Sequence, residues 1–504
     1  GFLAKLRKHN KPHYQAQGWR AILVSDDVGK RVHSAGRDEL IEPFCAYSPN
    51  NQFGSKPGMG ADMASHTMRL VQRWGELTGH STCIIFADLV AAFYSMLRDL
   101  CFAVPDTKEG LAAVYQRMGF TPDDFQQLQQ ALDTQPTAFE AASIPAPLHR
   151  KVAEAHADTW FILSGTKQFV VTHTGSRPGD PYGDIVFGFA FARIYHRIQE
   201  ELAKADLLVQ LPVSSATLFP SDNSVTTTVI GASYVDDTAV VTATKCPEEL
   251  EAKAGAATGI LHAVFRAHGF NLNFGPAKTA GLLTFRGKGS EALRIKFQNK
   301  AKPTIAVTHE GHRFAELPVV MSYVHLGSTI AADGRPRQDL KRKQAQVRAT
   351  AHHLKKGLFR VPTMMDATKM IYCDALMVSK ASFSVQAYPQ LYKGELEIHN
   401  TTLTLAYRTA LGLLLGPDQE RNIVDEDVYA RAVRVPAHAH IRVQRLQYAA
   451  RLMRQAPPQL LALLQQEYVH ATKADSWLHM LQVDLRWLRK HVPAYRNFTD
   501  PAED

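Results

Sequence analysis

The segment Gly231–Thr244, GASYVDDTAVVTAT, sets two adjacent carboxylates, Asp236 and Asp237, between two runs of small, β-branched and aromatic residues. The runs read as two strands and the acids as the tip of the hairpin joining them. Asp has an ordinary reason to occupy a turn, because its side chain hydrogen-bonds its own backbone. The other reading is a metal site. In STCIIFADLVAAFYSMLRDL an apolar strand, Cys83 to Phe86, runs toward a third acid, Asp88. If the fold sets that strand beside the hairpin, three carboxylates converge. Unit charges about 5 Å apart repel by roughly 3 kcal/mol per pair at an effective dielectric of 20. Such a cluster is protonated, paired or neutralised by cations, and no Lys or Arg adjoins any of the three in sequence. Oxygen ligands without His or Cys suit Mg²⁺. Two such ions roughly 4 Å apart would clamp the attacking and leaving oxygens of an in-line phosphoryl transfer.

The surroundings read as strand–helix, helix, hairpin, helix, strand, which predicts an α+β fold with an antiparallel sheet backed by helices. Asp180 followed by Pro181 predicts a helix start, with Phe187, Phe191, Ile194, Ile198 and Leu202 as its buried stripe. Leu211–Asn223 reads as an exposed loop, and Pro247–His268 as an amphipathic helix closed by Gly269. From about residue 337 the pattern is helical and predicts a separate helical domain. At 504 residues the chain should divide into about two to four sub-domains.

No apolar stretch approaches the roughly 18 residues needed to span a bilayer. Five dispersed cysteines without a CxxC pair argue against a zinc site and a disulfide framework, and suggest a reducing, intracellular setting, nuclear or cytoplasmic. Net charge is +9. Between Arg335 and Lys356 stand eight Lys or Arg and one acid, Asp339. Such a run reads either as a solvated helix face or as a grip on a polyanion. The opening at Gly1, in mid-pattern, suggests a piece of a longer protein.

The order of these segments resembles reverse transcriptases, especially those of non-LTR retrotransposons, over roughly residues 8–335, with a looser helical similarity to about 420. FADLVAAFYS resembles the first palm motif of that family, GSRPGDPYGD the second, YVDD the third and GFNLNFGPAKT the fourth; YVHLGS resembles the primer-grip hairpin. Upstream, WRAIL resembles the fingers strand that holds the triphosphate, and QFGSKPGMG the fingers motif near the template. The resemblance implies Asp88, Asp236 and Asp237 as catalytic metal ligands, with Leu89 contributing its backbone carbonyl, for two Mg²⁺ ions or Mn²⁺ in their place. It implies Lys278 as the acid that protonates pyrophosphate, where the bare sequence offers only a loop lysine. It implies Phe93 as the residue that excludes a ribose 2′-OH; otherwise Phe93 is a core phenylalanine. Arg20, Lys11, Pro178 and Gly179 would lie at the nucleotide. Gln52, Gly54, Leu326, Gly327, Lys341, Arg342 and Lys343 would lie along template and primer. One departure is Pro178, where the family usually carries glutamine; proline supplies neither that side chain nor an N–H.

The implied architecture is a right-hand polymerase with an antiparallel palm sheet backed by helices, mixed fingers and an all-helical thumb. Its parts would be fingers 1–80, palm 81–120 and 169–336, a helical connection 121–168, thumb 337–430 and a helical extension 431–504. The implied function is RNA-directed DNA synthesis from dNTPs on an RNA template and DNA primer, in the service of retrotransposition. The competing expectation is a catalytically inactive, nucleic-acid-binding remnant of a retroelement.

Overall fold

The computed structural model describes residues 2–8, 19–24, 26–102, 119–162, 169–214, 217–275, 277–388, 390–413, 423–472, 475–492 and 494. Strands β1 (Phe2–Arg7) and β2 (Trp19–Val24) pair antiparallel at the start of the chain. Helix α1 (Asp27–Tyr47) follows, capped by Asp26, whose Oδ1 accepts the Gly29 N–H at 2.7 Å. Helix α2 (Ala61–Thr78) ends at Gly79, whose φ of 74° makes the left-handed stop that glycine permits.

Strand β3 (Ser81–Ala87) comes next and is buried along all seven residues. Its burial follows from its place in a four-stranded antiparallel sheet with helices on both faces. The sheet order is β6 (Ala280–Thr284), β3, β5 (Asp237–Thr244), β4 (Gly231–Tyr234). Side chains alternate across the sheet. Cys83, Ile85 and Ala87 join one core with α3 (Gly183–Lys204) and α4 (Leu250–Arg266). Ile84 and Phe86 join a second core with Met63, Met68 and Trp74 of α2. A strand covered on both sides reads as a continuous apolar run, as STCIIFA does.

Beyond the sheet, β7 (Ser322–His325) and β8 (Ser328–Ala331) form a tight hairpin. Its two turn residues, Leu326 and Gly327, have φ of 49° and 77°, the pair of left-handed residues that matches strand twist. The remaining labelled elements are helices: α5 (Arg337–Leu354), α6 (Lys393–Ala410), α7 (Ala437–Gln455), α8 (Pro458–His470) and α9 (Trp477–His491). Helices α5 and α6 share a third core with the Asp425–Ala432 helix, around Val347, Leu403 and Val428. The chain is a mixed α+β protein with several small antiparallel sheets.

Three expectations are corrected. The helix after Asp180–Pro181 begins at Gly183, because Asp180 is buried and its carboxylate serves His33 as well as the Tyr182 N–H. Leu211–Asn223 is not simply an exposed loop. Val209–Val213 pairs with Val225–Val229, burying Val209, Leu211 and Val213 while Gln210 and Pro212 face out. Nor do the last helices form a separate domain. Tyr448 of α7, Leu460 and Leu464 of α8, and Trp477 of α9 belong to the same core as α2, Ile84 and Phe86.

Candidate functional site

Strand β3 pairs with β5 so that Ala87 faces Thr238. Asp88 therefore leaves β3 at the end of the sheet where Asp237 begins β5, with Val235 and Asp236 forming the turn between β4 and β5. Val235 has φ 60°, a left-handed conformation that a β-branched residue adopts only under external constraint. The constraint is the Asn51–Gly54 segment. Phe53 N–H donates to the Ser233 carbonyl at 2.8 Å, and Ser233 N–H donates to the Asn51 carbonyl at 2.8 Å. A Cβ on Gly54 would lie 2.6 Å from the Val235 amide nitrogen. Gly54 is what allows the two backbones to meet. Beneath the turn, the Tyr195 hydroxyl and Thr238 Oγ1 are hydrogen-bonded.

Asp88 is held from the Phe270–Thr279 loop. Lys278 Nζ donates to Asp88 Oδ1 at 2.9 Å, and Asn273 Nδ2 donates to Oδ2 at 3.2 Å. The backbone is tied as well: Asp88 N–H donates to Thr279 Oγ1 at 3.1 Å, and Asn273 N–H to the Asp88 carbonyl at 2.8 Å. The sequence gives Asp88 no basic neighbour, but the fold gives it Lys278. Tyr323 stacks on Phe86 with ring centroids 4.2 Å apart. Burial, then the charges of Asp88 and Asp237, push its phenol up to about 12. Among the described residues no three His, Cys, Asp or Glu side chains form a group that could hold a metal ion. The donor chemistry of Asp88, Asp236 and Asp237 nevertheless fits a hard divalent cation, being oxygen-only and partly open to solvent. Leu89 is buried and bridges to Leu272.

Next to this end of the sheet, Phe93 is half-buried and stacks on Phe187, with centroids 4.3 Å apart and planes at 16°. Its carbonyl accepts the Ser176 N–H at 3.0 Å, which locks the segment after β3 to the one that leads into α3. The Pro178 carbonyl accepts the Leu23 N–H at 2.8 Å. Gly179 has φ 101°, and a Cβ there would overlap the Leu23 carbonyl. Proline is compatible with this contact because the contact uses its carbonyl and not an N–H. A cavity of about 360 Å³ opens here between Leu23, Phe93, Trp160, Arg177 and Pro178. The backbone of Arg20 pairs with Leu6 in the β1–β2 ladder. Lys11 lies outside the described residues.

Two residues expected along the template and primer are buried instead. Gln52 is 1% exposed, and its Nε2 donates to the Gly188 carbonyl at 2.9 Å. Its amide is a tie between the Asn51–Gly54 segment and α3. Lys343 is 1% exposed; its Nζ lies 2.6 Å from Asp339 Oδ2 and also donates to the Phe383 carbonyl. Asp339 is fully buried and also accepts from the Thr329 N–H at 2.6 Å and from the Tyr388 hydroxyl. Arg342 donates to Thr329 Oγ1 at 2.9 Å and to the Gly327 carbonyl, so it braces the Leu326–Gly327 turn. Lys341 is exposed. It shares a face of α5 with exposed Arg348 and His352, at helical spacing.

Sequence reasoning missed the residues that fasten this frame. Arg98 is 2% exposed and donates to the His156, Thr172 and Gly175 carbonyls at 2.6, 3.0 and 3.2 Å. From α8, Gln459 Nε2 donates to the Gly231 carbonyl at 2.8 Å. Arg451 of α7 pairs with Asp62 of α2. The available signal was Asp339, the sole acid in a basic run and so a candidate for internal pairing; the others carry none. No family model matches the chain, and a search of curated proteins found no match.

Proposed function

We propose that this chain is an RNA-directed DNA polymerase that adds dNTPs to a primer 3′-OH on an RNA template, in the service of retrotransposition. The observation that carries this reading is the β3–β5 pairing, which sets Asp88 and the Asp236–Asp237 turn at one end of one sheet although they lie far apart in sequence. In this reading the four-stranded sheet with its helices is the palm of a right-hand polymerase, β1–β2 and the Asn51–Gly54 segment belong to the fingers, and α5–α6 to the thumb.

Asp88, Asp236 and Asp237 would hold two Mg²⁺ ions, with Mn²⁺ as a substitute. Bound there, the metal would lower the pKa of the primer hydroxyl and stabilise charge on the leaving oxygen. Lys278, hydrogen-bonded to Asp88, would protonate the departing pyrophosphate at its Nζ. Phe93, pinned by Phe187, would present a fixed edge against a ribose 2′-OH. The Leu326–Gly327 turn and the exposed face of α5 would hold the primer–template backbone, mostly as charge, so binding weakens steeply with salt.

Primer extension on an RNA template with dNTPs and Mg²⁺, run beside Asp236→Asn, tests this. Extension by the parent and none by the variant supports it. If neither extends a primer that both bind, the chain is a nucleic-acid-binding remnant of a retroelement.

A further inference from the structure

A cavity of about 530 Å³ lies at the opposite end of the sheet from Asp88, between α2, residues 332–337 and the start of α6. Thr284, which pairs with Thr82 at that end of β3, lines it. The length of β3 therefore separates the cavity from Asp88 by roughly 20 Å. Arg69, Arg73, Arg286, Arg335 and Arg337 all line it.

The acids of the cavity already have partners. Glu76 and Asp475 pair with Arg73 at 2.7 and 3.3 Å. Glu395 accepts the Tyr392 N–H at 3.0 Å, Asp333 the Arg335 N–H at 3.0 Å, and Glu467 the Trp477 N–H at 2.8 Å. Arg69 donates to Ser328 Oγ at 2.8 Å and to the Thr329 carbonyl at 2.9 Å. The guanidinium groups of Arg335 and Arg337 have no hydrogen-bond or ion-pair partner among the described residues.

Arg337 also lies close to the start of α6, where the Glu395 carboxylate caps the helix. Its Nη1 lies 3.9 Å from the position a Cβ on Gly394 would take, in the first turn of the 18-residue helix α6. Tyr392, 60% exposed, lines the same cavity, and its hydroxyl donates to Asp475 Oδ1 at 3.2 Å. Guanidinium forks match phosphate oxygens, an exposed aromatic ring stacks on bases, and the volume is that of a small-molecule site.

We propose that this cavity binds one phosphate-bearing nucleotide unit, free or as part of an RNA strand, with Arg335 and Arg337 on the phosphate and Tyr392 against the base. The site is distinct from Asp88, Asp236 and Asp237 and needs no metal.

The test is equilibrium binding, in EDTA, of two fluorescent probes to the full chain: labelled ATP, and a labelled single-stranded RNA oligomer. The variants are Arg335→Ala/Arg337→Ala, Arg335→Lys/Arg337→Lys, Tyr392→Leu and Asp236→Asn. The expected result is a loss of about tenfold or more in the double alanine variant, a smaller loss in the double lysine variant and in Tyr392→Leu, and none in Asp236→Asn. If the loss falls on labelled ATP, the ligand is a free nucleotide; if it falls on the oligomer alone, the ligand is a strand. If neither probe depends on Arg335 and Arg337, the proposal is overturned. Failed primer extension leaves this binding result intact, because the assay uses neither metal nor Asp236.

Discussion

Gln459, in the eighth labelled helix, donates from Nε2 to the carbonyl of Gly231, the first residue of the strand that leads into the Asp236–Asp237 turn. The contact joins the last part of the chain to the hairpin that carries two of the candidate catalytic acids. Both groups are buried. Gln459→Leu leaves the carbonyl without that donor, and a buried unpaired acceptor costs about 1–3 kcal/mol. The denaturation midpoint should fall, with the slope unchanged. An unaltered midpoint would show that Gln459 contributes nothing to the hairpin.

Gly54→Ala should be more damaging to activity than to stability. The added Cβ would stand 2.6 Å from the Val235 nitrogen, so the turn must move. Overpacking of this kind costs about 1–3 kcal/mol, and the displaced groups are the acids beside Val235. Comparing primer extension with thermal unfolding separates the two effects. Full activity in a folded variant would refute the role assigned to the close approach.

Lys278→Ala removes the cation that holds Asp88 at 2.9 Å. Both side chains are partly exposed, so the pair itself adds at most about 1 kcal/mol to stability. The expected outcome is a nearly unchanged melting temperature with a fall of roughly tenfold or more in the single-turnover nucleotide incorporation rate. Parent-like incorporation would exclude Lys278 as the proton donor.

Lys341 and Lys343 are two positions apart and should behave oppositely. Lys343→Ala removes the cation nearest the buried Asp339 while Arg342 and Arg69 stay beside it, so stability should fall by about 1–3 kcal/mol. Lys341→Ala should leave stability intact and flatten the salt dependence of template binding by about one ion. Burial opposes ionisation of Asp339, but Lys343 and then Arg69 outweigh it and hold the carboxyl well below the usual carboxylate range. The stability that Asp339 contributes is therefore present above about pH 4 and is lost as pH falls toward its folded-state value. Asp339→Asn should be destabilised at neutral pH, with the gap narrowing in acid. A constant gap in a pH series of melts would overturn this.

Glu467 has the opposite sign. Burial pushes its carboxyl up to about 7, against the Trp477 N–H, which lowers it. Between about pH 4.5 and 7 the unfolded chain loses a proton that the folded chain keeps, so stability falls as pH rises. Glu467→Gln, which keeps the acceptor for Trp477, should raise stability at pH 8 by roughly 3 kcal/mol and change nothing at pH 4. Equal effects at both pH values would count against it.

The sequence by itself determined the elements whose signal is local. The run from Cys83 to Phe86 is a strand, Asp236 sits in a hairpin turn with Asp237 opening the next strand, and the helix predicted over Pro247–His268 appears as Leu250–Arg266 before Gly269. Such signals survive because apolar period and turn chemistry act within a few residues. Tertiary structure alone decided which charges meet. Lys278 reaches Asp88 from a distant loop, Lys343 turns inward onto Asp339, and Asp180 serves His33 rather than opening its helix. It also decided that α7–α9 pack on α2, since an amphipathic helix specifies that it has a partner but not which one. Pairing between residues far apart in the chain depends on desolvation and geometry at the contact, and neither is written in the neighbouring residues.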